Sequence, residues 1–480
     1  MAGVSESSRG GFSNKIGFVL AAAGSAVGLG NIWKFPFEVA DGGGGAFVAM
    51  YLAFCFLLCF PVMMAEIAIG RKTNKNAVGA FESNGHKNWS AVGKMGVLSG
   101  ALILSFYNVV AGWAFGFALE MIAGNFAIGS NFGQFISDWH INLAFSSVFM
   151  FLTIYIVMKG VSGGIEKASK ILMPSLLFLI LALMGYALTQ DGAMEGVAFY
   201  LVPDFSEITF DVAFSAMGQA FFSLSLGMGA LITYGSYVGK KDNIAHSTAM
   251  ILLTDVGIAF IAGLMMFAFI YSQGLQGTSG GAGLIFTVLP SAFESLGPVL
   301  GRVIGAAFFI LLSFAALTST VSLLEVPVAY VVDEHEVRRS RAVWIVGGLI
   351  FLLGIPSMLG NGTVDFFNNF ITYSSGKTVN FMTFIENLAS DTFLPLGGFF
   401  IALYTAWVWR GDNFKKELEQ GNPGFGDTIL GKYSIFALKF LVPIILGAIT
   451  MVTISDKFLG LDLLEITRNL INDLMKLINA

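Results

Sequence analysis

Apolar residues along this chain come in long windows, with polar residues confined to short breaks between them. A window of about 20 apolar residues is the length a helix needs to cross a bilayer. Eleven such windows can be read, at roughly 14–40, 46–70, 96–124, 145–160, 164–190, 210–238, 245–272, 301–333, 341–360, 380–409 and 433–456. The fourth is short. Residues 457–480 alternate Leu and Ile with Lys457, Asp462, Glu465, Arg468, Asp473 and Lys476. That segment is too charged to span and predicts an amphipathic helix on the membrane or on the bundle. The pattern predicts an all-α polytopic membrane protein, with a single transmembrane domain over 1–456 and a tail over 457–480.

Composition supports the pattern. The 480 residues are 55% hydrophobic and only 12% charged, where soluble proteins carry about 25% charged residues. A net charge of -5 offers nothing to nucleic acid. No signal-peptide cleavage pattern precedes the first window, which reads as a mature span. Cys55 and Cys59 lie one helical turn apart in a lipid-embedded window and read as small buried hydrophobes. His86, His140, His246 and His335 have no metal spacing. No Ser-His, paired-Asp or metal set stands inside the windows, which argues against an intramembrane enzyme.

Lys and Arg fall on one side. The loop after span 2 holds Arg71, Lys72, Lys75, Lys87 and Lys94, whereas 125–144, 191–209 and 273–300 hold none. The bias predicts a cytoplasmic N-terminus in a plasma (inner) membrane.

Two windows are interrupted where a helix should run on. The first reads Ala21-Ala22-Ala23-Gly24-Ser25-Ala26-Val27-Gly28-Leu29-Gly30-Asn31-Ile32-Trp33-Lys34-Phe35-Pro36. The sixth reads Phe222-Ser223-Leu224-Ser225-Leu226-Gly227-Met228-Gly229. Inside a bilayer, backbone freed from a helix must line a cavity or hold a ligand. Freed carbonyls become cation ligands and freed N–H groups anion donors. The competing reading of the first stretch is a small-residue packing face. The interruptions lie five spans apart and hence in opposite topology. That is the pattern of a transporter built from inverted repeats, here about 14–190 and 210–409. A channel can also use broken helices, usually in a symmetric oligomer.

Gly24 to Pro36, followed by Gly42-Gly43-Gly44-Gly45-Ala46-Phe47, resembles the first span of the neurotransmitter:sodium symporter family. The resemblance runs through Glu66-Ile67-Ala68-Ile69-Gly70-Arg71, Gly164-Ile165-Glu166-Lys167, Pro203-Asp204-Phe205, Gly218 to Gly227 and Leu317-Thr318-Ser319-Thr320. It covers about residues 9–455 and implies the leucine-transporter-type fold, a 5+5 inverted repeat of eleven helices with helices 1 and 6 unwound. It also implies two Na⁺ sites. One would use the carbonyl of Ala26, the side chains of Asn31, Ser223 and Asp255, and the substrate carboxylate. The other would use the carbonyls of Gly24, Val27 and Ala315 with the hydroxyls of Thr318 and Ser319. Oxygen donors suit a hard cation.

Many relatives have Asn where this chain has Asp255. Animal relatives bind chloride nearby, and the counterparts of that set are Tyr51, Gln219, Ser223 and Ala259. Ala259 offers no hydroxyl or charge, so Asp255 is read as the missing negative charge and chloride as not required. The competing reading is a protonated Asp255 bonded to a neighbour. Monoamine carriers of the family place an Asp near Gly24, and this chain has no acid in that stretch. The resemblance implies instead that the N–H groups around Leu29 and Gly30, with the Tyr107 hydroxyl, receive a carboxylate. The ammonium would meet the carbonyls of Ala26 and Phe222 and the Ser225 hydroxyl. The far wall would be Ile103, Tyr107, Phe222, Met228, Ser319 and Leu323, apolar and uncharged. For an outer gate it implies Lys34 with Asp391, Glu386 being second candidate. For an inner gate it implies Arg9 with Asp333, with Phe12 beneath and Tyr237 nearby. Gly164 and Pro174 have the spacing that lets the inner end of span 5 unwind in relatives, against a static proline kink. The reading is a sodium-coupled symporter of neutral hydrophobic or aromatic L-amino acids, monomeric or homodimeric. The alternative is a non-transporting amino-acid sensor on the same fold.

Overall fold

Glycine and proline decide where the helices of this chain stop and bend. A computed structural model describes residues 11–275, 284–373, 376–461 and 463. Among them, nine helices are long and apolar enough to cross a membrane. They are Gly45–Thr73, Lys87–Ala123, Trp139–Met158, Val161–Ala187, Ile244–Ser272, Leu300–Glu334, Arg339–Leu359, Phe381–Val408 and Ile429–Leu459. A bent pair, Lys15–Ala26 and Gly30–Asp41 at 46°, adds a tenth where the first span was expected. The sixth window, 210–238, is built as two shorter helices, Phe210–Ser223 and Ala230–Gly235. The spans keep their sequence ordinals below.

The helices overrun the windows where polar residues cap or extend them. Span 4 starts at Trp139 because the Asp138 side chain accepts from the N–H groups of His140 and Ile141. Span 11 runs on to Leu459, with a widened last turn over Ser455–Leu459. So Lys457, read as the start of the tail, belongs to the end of that span. The remainder of the tail, apart from residues 458–461 and 463, lies outside the described residues.

The first half of span 1 is an alanine-rich helix whose Ala21, Ala22 and Ala23 are buried. Small residues let it pack closely, and it sits among spans 5, 7 and 8. Both halves of span 6 lie against span 2, and spans 3 and 8 pack along each other. The two broken spans therefore occupy the middle of the bundle.

Candidate functional site at the two helix breaks

The span 1 helix ends at Ala26, and Val27 turns to extended backbone at φ -68°, ψ 108°. A five-residue π turn, Gly30–Lys34, restarts the helix before Pro36. A side chain at Gly28 would run into the Ser319 and Tyr107 hydroxyls, so only glycine fits there. In span 6 the break passes through left-handed backbone at Ser225 (φ 55°), Gly227 (φ 82°) and Gly229 (φ 75°). Glycine adopts that conformation freely and serine does not. The Ser225 hydroxyl is anchored by donating to the Ser25 carbonyl at 2.9 Å.

The breaks border a cavity of about 20 Å³. Ser25, Ala26, Gly28 and Gly30 line it from span 1, and Phe222, Ser225 and Met228 from span 6. Ile103 and Tyr107 close it from span 3, Ser319 and Leu323 from span 8. Ser25 and Gly28 were read as part of the broken stretch but not as lining. Leu29 and Ser223 were in it and are not in the lining. The Leu29 N–H, expected to meet a carboxylate, donates to the Tyr107 hydroxyl at 2.7 Å. The Ser225 hydroxyl, expected to face an ammonium, is turned to Ser25 instead. Both differences have one cause: the broken backbone needs partners, and nearby hydroxyls supply them.

Two oxygen clusters flank the cavity. In the first, Asn31 Nδ2 donates to Asp255 Oδ1 at 2.8 Å and to Ser223 Oγ at 3.0 Å. The Ser223 hydroxyl donates to Asp255 Oδ2 at 2.9 Å, and the Tyr51 hydroxyl lies 3.3 Å from Ser223 Oγ. Gln219 Nε2 holds the Gly30 carbonyl at 2.8 Å. Asp255 is fully buried. Ala26 lines the cavity beside this cluster, and no bond ties its carbonyl into it. In the second, the Thr318 hydroxyl lies 2.9 Å from the Ala315 carbonyl and 3.2 Å from the Val27 carbonyl. Ser319 Oγ is 3.3 Å from the same Val27 oxygen. A Cβ on Gly24 would stand 3.4 Å from Thr318. Carbonyls and hydroxyls with no His, Cys or carboxylate suit a hard monovalent cation.

The gate residues divide. Lys34 is 3.4 Å from Glu386, the second candidate, while Asp391 pairs at 2.5 Å with Lys457. In this arrangement Lys34 meets Glu386 and not the expected Asp391, because the end of span 11 brings a cation that sequence order hides. At the other end Phe12 packs against Phe18, Tyr234 and Tyr237, with ring centres 5.6–6.0 Å apart. Asp333 Oδ2 accepts from Asn76 Nδ2 at 2.8 Å. Arg9 lies outside the described residues.

Three buried acids in apolar runs carry contacts that the sequence reading gave no role. Glu66 of span 2 accepts the Gly227 N–H at 2.8 Å and so holds the span 6 break. Glu325 of span 8 pairs with Arg339 and accepts the Tyr237 hydroxyl at 3.1 Å, while Arg339 Nε caps the Val157 carbonyl at 3.0 Å. Glu166 of span 5 accepts the Ser13 N–H at 2.8 Å and Lys170 at 2.5 Å. An acid inside an apolar window is itself the signal that could have found them. Outside the spans, burial lowers the Lys240 ammonium below its ordinary range, against the attraction of Glu417 3.3 Å away.

A bundle of apolar spans, two of them broken at mid-length around a shared cavity, is the build of a membrane transporter. The chain belongs to the sodium:neurotransmitter symporter family, whose profile it matches over residues 9–139 and 131–455. This is a family of transporters and not of enzymes. A sodium-dependent transporter of Bacillus subtilis, YhdH, is 37% identical over 440 residues, 90% of this chain and 95% of that protein. The sodium-dependent serotonin transporter of Drosophila melanogaster is 27% identical over 507 residues, 92% of this chain and 78% of that protein. The crystal structure of MhsT in complex with L-phenylalanine superposes with a TM-score of 0.85 at 43% identity, covering 93% of this chain and 100% of that one. The fold is thereby the leucine-transporter type.

Proposed function

We propose that this chain is a sodium-coupled symporter that imports neutral hydrophobic or aromatic L-amino acids by alternating access, without chloride. The carrying observation is the lining of the central cavity. Broken backbone and the Tyr107 hydroxyl stand at one side, and Ile103, Phe222, Met228 and Leu323 at the other. Among the described residues no acid and no base lines it, which gives neither a monoamine nor a charged side chain a partner there. That a relative was solved with L-phenylalanine bound supports the same class.

Two Na⁺ would ride in the two oxygen clusters. The first comprises Asn31, Ser223 and Asp255 with the Ala26 carbonyl. The second comprises Thr318 and Ser319 with the carbonyls of Gly24, Val27 and Ala315. Moving one charge through 100 mV yields about 2.3 kcal/mol, and about 1.4 kcal/mol is a tenfold gradient. Asp255 stands among Tyr51, Gln219 and Ser223, the counterparts of the chloride set, and Ala259 beside it is buried. The carboxylate therefore supplies the charge that chloride brings elsewhere. We place the N-terminus in the cytoplasm of a plasma membrane, on the Lys/Arg bias, and read 14–190 and 210–409 as the repeats.

The test is binding and proteoliposome uptake of the twenty amino acids in Na⁺, K⁺ and choline. Leu, Phe, Tyr and Trp should bind in Na⁺ and be accumulated, while Asp, Lys and dopamine should not. Substrate affinity equal in Na⁺ and K⁺ would sink the sodium clusters. Binding without uptake would favour the sensor.

A further inference from the structure

A second cavity, of about 450 Å³, lies on the other side of Lys34 and Phe222 from the first. Lys34 lines it, and its ammonium sits 4.9 Å above the centre of the Phe222 ring, which lines the inner cavity. Lys34 is thus the partition between the two spaces. Six charged side chains face the larger one: Lys34, Lys377 and Lys457, with Glu38, Glu386 and Asp391. They balance, three against three.

Within this set the pairing is unequal. Lys34 and Glu386 are 3.4 Å apart, whereas Lys457 and Asp391 are 2.5 Å apart. Lys457 also donates to Asn387 Oδ1 at 3.0 Å. Asn387 in turn donates to the Tyr373 hydroxyl at 3.0 Å, and Tyr373 packs against Phe458, with ring centres 5.8 Å apart. The end of span 11 is therefore fastened to span 10 and to the loop before it. Lys34 and Lys457 line the cavity together with Asp391.

We propose that Lys457 is a working part of the outer gate and competes with Lys34 for Asp391. While Lys457 holds Asp391, span 1 reaches span 10 only through the longer contact to Glu386, and the mouth stays easy to open. When Asp391 passes to Lys34, spans 1 and 10 are clamped over Phe222. The exchange moves one carboxylate between two lysines of the same cavity and leaves its set of charged side chains unchanged. Lysine suits this role, because a point charge on a flexible stem changes partner more readily than a bidentate guanidinium. The proposal rests on the alternating-access reading, and its test separates the two.

Ser215 lines the same cavity and is replaced by Cys for labelling with a membrane-impermeant thiosulfonate. The native Cys55 and Cys59 are buried and stay silent. In Na⁺ without amino acid, Lys457→Met should slow labelling on the order of fivefold, the scale of a partly exposed ion pair. Lys457→Arg should keep the rate near that of the parent. In an Asp391→Asn background, Lys457→Met should change nothing further. Parent-like labelling in Lys457→Met, or the same slowing with Asp391→Asn present, would overturn the proposal. Where Lys457→Met does not reach the membrane, Lys457→Gln is read in its place. Sodium-dependent phenylalanine uptake is measured in the same membranes. Uptake without a labelling shift removes the gate role alone, and a labelling shift in a chain that never accumulates substrate removes the transport reading alone.

Discussion

Asp255 is the residue on which the proposed chloride independence rests. It is fully buried, takes Asn31 and Ser223 on its two oxygens, and has an alanine at 259 where a hydroxyl would help hold an anion. Asp255→Asn together with Ala259→Ser is expected to make uptake stimulated by chloride. The parent should transport equally in chloride and gluconate, and a parent that stops in gluconate would contradict this. Thr318 is the matching case at the second cluster, where one hydroxyl reaches both the Val27 and Ala315 carbonyls. Thr318→Ala removes one oxygen ligand worth about 1.5 kcal/mol. Sodium affinity, read from the Na⁺ dependence of phenylalanine uptake, should fall about tenfold. An unchanged half-saturating Na⁺ concentration would take Thr318 out of the site.

At the scale of an element, function depends on helices that stop early. Gly28 sits where a Cβ would overlap the Ser319 and Tyr107 hydroxyls. Gly28→Ala should abolish amino-acid binding in the presence of Na⁺ while circular dichroism shows the helix content unchanged. Retained affinity would mean that the break has more room than its glycine implies. Span 5 carries the second element-level device. It begins with a π turn, Val161–Glu166, and holds Pro174 inside the helix that follows. Met173, beside that proline, would lie 3.5 Å from a Cβ on Gly24, next to Thr318 at 3.4 Å. Span 5 thus packs on the second oxygen cluster, and a helix lacking one backbone donor loosens there most easily. Pro174→Ala should slow labelling of a cysteine placed in the inner pathway. Equal rates would leave the proline as a static kink.

For the whole molecule, the buried ion pairs and the carbonyls they cap tie neighbouring and distant spans together. Arg339 joins span 9 to Glu325 of span 8 and to the Val157 carbonyl of span 4. Removing one partner of a buried pair leaves the other charge uncompensated, at a cost of about 3–5 kcal/mol. Arg339→Ala should therefore lower the thermal midpoint of the detergent-solubilised protein by several degrees. Glu325→Gln in the same chain should recover part of that loss by removing the stranded charge. A melting temperature unchanged in Arg339→Ala would show that the pair contributes nothing net. Arg71 does comparable work, with Nε 2.8 Å from Glu417 and Nη1 2.6 Å from the Asp242 carbonyl.

The apolar windows, the glycines at 28, 227 and 229, and the Thr318-Ser319 pair are local features, and the sequence alone determined them. A stretch of 20 apolar residues has one stable form in a bilayer, and a glycine run inside one marks where that helix can open or pack closely. Most of the cavity wall was legible for the same reason, since the breaks point to it and the family resemblance names its far side. Partnerships were decided only by the tertiary structure. Whether the Leu29 N–H meets a ligand or the Tyr107 hydroxyl depends on a side chain 78 residues away. Whether Asp391 faces Lys34 or Lys457 depends on where span 11 ends, 66 residues further on. The role of Glu66 became visible only once Gly227 was seen turning its N–H toward it. A hydrophobic pattern records which face of a helix is buried and not which neighbour it meets. Hydrogen bonds and ion pairs need atoms within about 3 Å, and that spacing is set by packing.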